Sequence, residues 1–293
     1  MTWAIPSLLV LAGLTVWLCY WGAGVILYPP LMSDMAIFPE QFGLKYEKVS
    51  FQTPDGLTLK GWFLPSPTQD QRTLIMCHGW GDNKGELLKQ TFFLNQDAGY
   101  NLLYFDNRAH GESEGEITTI GLLETIDFRA AIEFLKKSKP GLVERLGVFG
   151  LSMGAAVAAI AVSEHPEVKA IVLESPFTDF RSVVRQWAWN KFRLPYFPLV
   201  MLTLWILKLR VGDPKVDSHS PIRFIDKVAP RPLLIIGGGK DRLMPESAVR
   251  ALHAKAGNPK SLWIIPEATH ARCHEAAGLE YETRLSQFYG KHL

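Results

Sequence analysis

Six short, uninterrupted apolar runs punctuate the sequence: TLIMC (73–77), NLLYF (101–105), LGVFG (146–150), AIVLE (170–174), PLLIIG (232–237) and SLWII (261–265). A strand with one wet face alternates apolar and polar residues. An unbroken run of this length suits a strand covered on both faces, as in a mostly parallel sheet. Segments with helical character lie between the runs, over roughly 84–97, 121–138, 153–164, 245–256 and 278–290. Ahead of them, KYEKVSFQT (45–53) and LTLKGWFL (57–64) do alternate, around the turn Thr53-Pro54-Asp55-Gly56, as an edge hairpin would. Repeated strand–helix alternation predicts an α/β fold with a mostly parallel central sheet and helices on both faces. At 293 residues there is ample chain for one such domain.

The first thirty residues follow other rules. From Trp3 to Tyr28 no residue is charged, and Pro29-Pro30 then stops any helix. Twenty-six residues at 1.5 Å each give about 39 Å, enough to cross a hydrocarbon core of about 30 Å with some tilt. Trp3, Trp17, Tyr20, Trp21 and Tyr28 are of the types that favour the membrane interface. A cleaved signal peptide is the rival reading, but it needs a basic leading region, and the first Lys or Arg is Lys45. A buried soluble helix is a third. The expectation is a single-pass membrane anchor over 1–30, a linker over 31–44 and the α/β domain over 45–293. Lys45 and Lys48 give only a slight bias toward a cytoplasmic domain.

Composition excludes more than it selects. A net charge of +2 with no basic run or nucleic-acid motif gives no reason to expect nucleic acid, and no protein partner is expected. Cys19, Cys77 and Cys273 form neither a disulfide framework nor a metal-ligand spacing, so no metal is expected. Cys77 reads as a buried strand end and Cys273 as an exposed loop residue.

Ser152 stands in Gly150-Leu151-Ser152-Met153-Gly154, directly after one buried run and before the small-residue helix AAVAAIAV. A G-x-S-x-G between strand and helix is what a nucleophile elbow requires: the serine is held strained above the sheet, and the glycines let strand and helix approach. A serine in a structural turn is the plainer alternative. A nucleophilic hydroxyl needs a base, and the base an orienting acid. Of eight histidines, His270 sits on a loop after the last apolar run, with His274 its local rival; His165 ends a helix, and His219, His253 and His292 read as solvent-facing. For the acid, Asp241 follows PLLIIG on a loop, while Glu174 ends AIVLE and Asp179 lies close behind it. Backbone amides of Trp80 and Met153 are the candidate oxyanion donors. His78, and the segment from Asp106 to Ser113, read as loop supports.

Taken in order, HGWGDNKG, FDNRAHGESEG, GLSMG, GGGKDRLMP and PEATH resemble the serine α/β-hydrolase superfamily over about residues 45 to 293. Within it, the chain most resembles membrane-anchored depalmitoylase-like and monoacylglycerol-lipase-like hydrolases and their bacterial single-pass relatives. The resemblance implies an elbow at Ser152, an acid at Asp241, a base at His270, an oxyanion loop at Trp80, and no cofactor. Ala109 departs from the family, which usually has glycine there; Trp80 after His78-Gly79 narrows the site.

About 55 residues separate AIVLE from PLLIIG, more than a crossover needs. A lid insert over about 177–220 is expected. Between positions 181 and 215, seven basic residues accompany one acid, Asp213, and Trp187, Trp189, Phe197 and Trp205 stand among them. Those aromatics are candidate lid or substrate contacts. Either the lid simply covers the site with its charges in water, or its basic, aromatic face also rests on anionic lipid. The expected activity is hydrolysis of an ester or thioester of an acyl or lipid-like substrate. A serine peptidase is the alternative, and a non-catalytic binding protein of the same fold the second.

Overall fold

A computed structural model describes residues 4–30, 36–216 and 218–293. Trp3, residues 31–35 of the expected linker and Asp217 lie outside the described residues. Eight strands form one sheet: β1 (Glu47–Gln52), β2 (Thr58–Leu64), β3 (Thr73–Cys77), β4 (Asn101–Phe105), β5 (Leu146–Leu151), β6 (Val168–Glu174), β7 (Leu233–Gly238) and β8 (Lys260–Ile265). Their spatial order is β1-β2-β4-β3-β5-β6-β7-β8, and β2 runs against the others. The chain therefore steps from β3 out to β4 and back across β3 to β5. Loops leaving β3 and β5 diverge at that reversal, which is where open α/β sheets leave a crevice.

The unbroken runs divide by side-chain period into two cores. Ile75, Leu103, Phe105, Val148, Ile171 and Ile235 point to one face, under α4 (Glu124–Ser138), α5 (Met153–Ala161) and α8 (Glu246–Lys255). Leu74, Met76, Leu102, Tyr104, Phe149 and Val172 point to the other, under α2 (Lys84–Thr91), α3 (Phe93–Gln96), α9 (Cys273–Ala277) and α10 (Leu279–His292). The helical segment expected over 84–97 is two helices meeting at Phe92. Asn83 caps α2, its Oδ1 accepting from the amides of Gly85 (2.8 Å) and Glu86 (3.3 Å).

At the N-terminus, α1 (Ala4–Leu27) is long and apolar enough to cross a membrane. Cys19, Ala23, Ile26 and Leu27 are buried while Ile5 to Leu18 stay largely exposed. Those four positions form one helical stripe. The stripe packs on Phe180, Val184, Ala188, Val200, Leu204 and Leu207 of the insert between β6 and β7. That insert contains α6 (Phe180–Phe192) and α7 (Met201–Val211), the chain turning by 117° between them. Arg210 of α7 donates to the Tyr20 carbonyl (3.0 Å) and lies over the rings of Tyr20 (4.4 Å) and Tyr28 (5.3 Å).

Cys273 corrects an expectation. It opens α9 fully buried in the second core, and burial raises its thiol pKa. The Ala-Arg-Cys stretch gives no apolar pattern of its own, so only the docking of α9 and α10 reveals the burial.

Candidate active site

Ser152 directly follows β5 with φ 53° and ψ −109°, a conformation that non-glycine residues adopt only under strain. Its amide donates to the Glu174 carbonyl (2.8 Å) and its carbonyl accepts from Ala156 (3.1 Å), so strand and helix both fix the turn. The glycines on either side are there for want of space. A Cβ on Gly150 would come within 2.5 Å of the Gly154 carbonyl oxygen, and one on Gly154 within 2.1 Å of the Cys77 carbonyl oxygen.

His270 Nε2 lies 2.9 Å from Ser152 Oγ, and His270 Nδ1 lies 2.8 Å from Asp241 Oδ2. Asp241 Oδ1 accepts from the amides of Leu243 and Met244, both at 2.8 Å. With one oxygen held by amides and the other facing Nδ1, the carboxylate favours the tautomer that presents a bare Nε2 to Ser152. Asp241 is buried, whereas a quarter of the His270 side chain remains exposed.

The rival groups have other partners. Glu174 is buried and accepts from the Tyr281 hydroxyl (2.5 Å) and the Cys273 amide (3.3 Å); burial raises its pKa. Asp179 caps α6 by accepting from the Ser182 amide (2.9 Å). His274 pairs with Glu282 (2.9 Å) and stacks on Phe93. His219, His253 and His292, read as solvent-facing, are half-buried, and none lines a cavity at Ser152.

Two buried histidines shape the loop after β3. The Asn107 amide donates to His78 Nε2 (3.0 Å), which leaves Nδ1 to donate to the Gly79 carbonyl (2.7 Å). Burial pushes the His78 pKa down to about 3. His110 Nε2 accepts from the Gly81 amide (3.1 Å) and Nδ1 donates to the Arg108 carbonyl (2.8 Å); burial lowers its pKa too. Both rings thus stay neutral and tie residues 79–81 to the loop after β4. Ala109, where the resemblance leads one to expect glycine, takes φ 59°. Sequence reasoning gave no role to Lys84. It is buried with Asp106, its Nζ lies 2.5 Å from that carboxylate and 2.7 Å from Glu112, and it lies over the Trp62 ring.

Trp80 and Met153 flank Ser152 and His270 in a cavity of about 170 Å³ whose walls are otherwise apolar, including Ile120, Phe177, Val184 and Trp187. Met153 is the first residue of α5, and such an amide has no partner within its own helix. Val25 and Ile26 of α1 also line this cavity, and the Trp80 indole donates to the Ile26 carbonyl (3.2 Å). No motif signalled either residue. On the other side of Ser152 and His270 lies a polar cavity of about 340 Å³ with Asp82, Glu86, Gln90 and Arg272. Burial pushes the Asp82 pKa up to about 7. Of the four lid aromatics singled out, Trp187 reaches the Ser152 cavity; Trp189, Phe197 and Trp205 are exposed on the outer side. Among the described residues, no cluster of His, Cys, Asp and Glu could hold a metal ion.

A doubly covered, mostly parallel sheet with a strained serine at its point of reversal defines an α/β hydrolase. The family described as serine aminopeptidase, S33, matches residues 68–229, more than half of the chain, and the chain belongs to it. It is 31% identical over 246 residues to the protein YqkD of Bacillus subtilis (strain 168), covering 83% of this chain and 79% of that one. It is 26% identical over 279 residues to the alpha/beta hydrolase domain-containing protein WAV2 of Arabidopsis thaliana, covering 90% and 85%. A solved esterase of Pyrococcus furiosus superimposes with a TM-score of 0.77 at 26% identity, covering 91% of this chain and 98% of that one.

Proposed function

We propose that the chain is a membrane-anchored serine hydrolase that cleaves carboxylic ester or thioester bonds of acyl or lipid-like substrates. The observation that carries the reading is the relay from Asp241 through His270 to Ser152, with both hydrogen bonds under 3 Å. His270 Nε2 takes the Ser152 proton as Oγ attacks the acyl carbonyl carbon. The amides of Trp80 and Met153 stabilise the oxyanion. Asp241 holds the Nδ1–H and stabilises the imidazolium, which then protonates the departing alkoxide or thiolate. Water, deprotonated by the same nitrogen, releases the acid from the acyl-enzyme. The apolar cavity suits the acyl side and the polar cavity the leaving group.

The anchor is residues 1–30, joined by residues 31–44 to a catalytic domain over 45–293. A retained helix is favoured over a cleaved signal because the end of α1 is tied into the domain: the Thr118 amide donates to the Leu27 carbonyl (2.8 Å). We further propose that the outer lid face, with exposed Trp189, Phe197 and Trp205 near basic side chains, rests on anionic lipid. Among those cations, Arg210 is turned onto α1 and Arg193 lies over the Trp189 ring.

The family description favours a second reading, a serine aminopeptidase. Such an enzyme needs an anionic or carbonyl partner for the substrate's ammonium on the acyl side. Among the described residues lining that cavity none is a carboxylate. Fluorophosphonate labelling with Ser152→Ala and His270→Ala alongside, and competing p-nitrophenyl ester and peptide-anilide assays, test both readings. Label on Ser152 with ester turnover supports the proposal. Anilide turnover alone selects the peptidase, and an unlabelled, folded chain in lipid selects a binding protein.

A further inference from the structure

We propose that the substrate's acyl chain reaches Ser152 sideways from the membrane, through a slot between α1 and the lid, so that the anchor helix is itself a wall of the acyl site. This rests on the esterase reading and adds to it a route and a substrate class. The substrate is an amphiphile whose chain is long enough to run from Ser152 back into lipid.

A second cavity, of about 210 Å³, lies between α1 and the lid. It shares Val25, Ile26, Val184 and Trp187 with the cavity at Ser152, so the two meet at these four side chains, which form the constriction that an entering chain displaces. The far rim includes Leu18 and Trp21 of α1 and Phe192 of α6, which are exposed by 44%, 52% and 44%. An apolar cavity of this size left empty forfeits packing on all its walls. A hydrocarbon chain restores those contacts. Gly22 lines the slot, where even a Cβ would sit 3.5 Å from Thr203, so any longer side chain intrudes on the path.

The length of α1 puts the rim at the height of lipid. The first buried position of the helix is Cys19. The exposed part among the described residues, Ile5–Leu18, is about 21 Å long at 1.5 Å per residue, short of a hydrocarbon core of about 30 Å. A spanning α1 therefore draws the lid into the leaflet with it. The lid is built for that position. Phe197, Trp205 and Leu209 are exposed by 70%, 58% and 62%, and α6 and α7 together are as apolar as a span, folded back on themselves through 117°. Arg210, over Tyr20 and Tyr28, then lies where a cation snorkels to the headgroups.

The test uses the full-length protein in vesicles of mixed zwitterionic and anionic phospholipid. The probe is an alkyl fluorophosphonate with a dodecyl chain ending in a diazirine. Phosphonylation fixes its head on Ser152, and irradiation then marks what the chain's end touches. The expected result is a cross-link to the peptide carrying residues 18–26. Cross-links confined to residues 79–90, facing the polar cavity, or to residues 243–248 would overturn the route while leaving the hydrolase reading intact. A chain that takes no label at Ser152 overturns that reading, and the route with it. As a second readout, Gly22→Leu should lower the ratio of dodecanoate to butyrate ester hydrolysis about tenfold; an unchanged ratio counts against the slot. Labelling by a short ethyl fluorophosphonate reports whether that variant is folded, and the cross-link on the unsubstituted chain stands independently of it.

Discussion

Replacing Gly154 with alanine adds one methyl group to the tightest approach in the site. The new Cβ would lie 2.1 Å from the Cys77 carbonyl oxygen, 2.5 Å from the Cys77 carbonyl carbon and 2.7 Å from the His78 oxygen. Cβ contacts below 3.0 Å are not sustained, and every neighbour is backbone, so no side chain can swing aside. Either α5 or the end of β3 must give way by about 1 Å. Overpacking of this kind costs about 1–3 kcal/mol, and each kcal/mol lowers the melting temperature of a domain this large by about 2–4 °C. Activity should suffer more than stability. The first turn of α5 carries Ser152 and the Met153 amide, whereas His270 is held from β7 and β8. Displacing one against the other by about 1 Å costs about a hundredfold in kcat/KM. We would measure ester kinetics, fluorophosphonate labelling rate and thermal unfolding, with Gly141→Ala as control, since a Cβ there meets nothing within 4 Å. A Gly154→Ala protein that melts and turns over like the parent would refute the steric account of the elbow.

Acid should destabilise the fold through the loop histidines. His78 titrates at about 3 when folded against an ordinary value of 6.5. The unfolded chain therefore takes up the proton first, and stability present above pH 6.5 is lost as the pH falls toward 3, at up to about 1.4 kcal/mol per pH unit. Urea unfolding at pH 7 and pH 5 should show this slope, and His78→Gln should flatten it; identical slopes would count against a neutral, buried His78. Ala109→Gly should stabilise the protein by about 0.5–1 kcal/mol, because a left-handed residue with a Cβ is strained where glycine is not. No gain in the urea midpoint would mean that the loop tolerates the methyl group.

The order and spacing of the elements could be read before any tertiary contact was known. Strands covered on both faces must be continuously apolar, and a strand–turn–helix turn around Ser152 is a local property of a few residues and two glycines. The placement of His270 and Asp241 on loops after apolar runs followed from the same logic, since in a parallel sheet those loops all gather at one edge. Local pattern gave out where burial came from a distant element. Cys273 is covered by helices that dock over it, and Lys84 is held by carboxylates more than twenty residues away.

The sharpest limit lies in α1. Almost every side chain in it is apolar, which fixes that it seeks a dry environment but leaves no polar face to show how it is rotated. Packing against the insert between β6 and β7, together with the bonds from Trp80 and Thr118, selects the stripe Cys19, Ala23, Ile26 and Leu27 for burial and so brings Val25 and Ile26 to the cavity beside Ser152. A uniformly apolar helix carries its preference for solvent in its composition. Its orientation exists only in the fit between its ridges and the surface it meets.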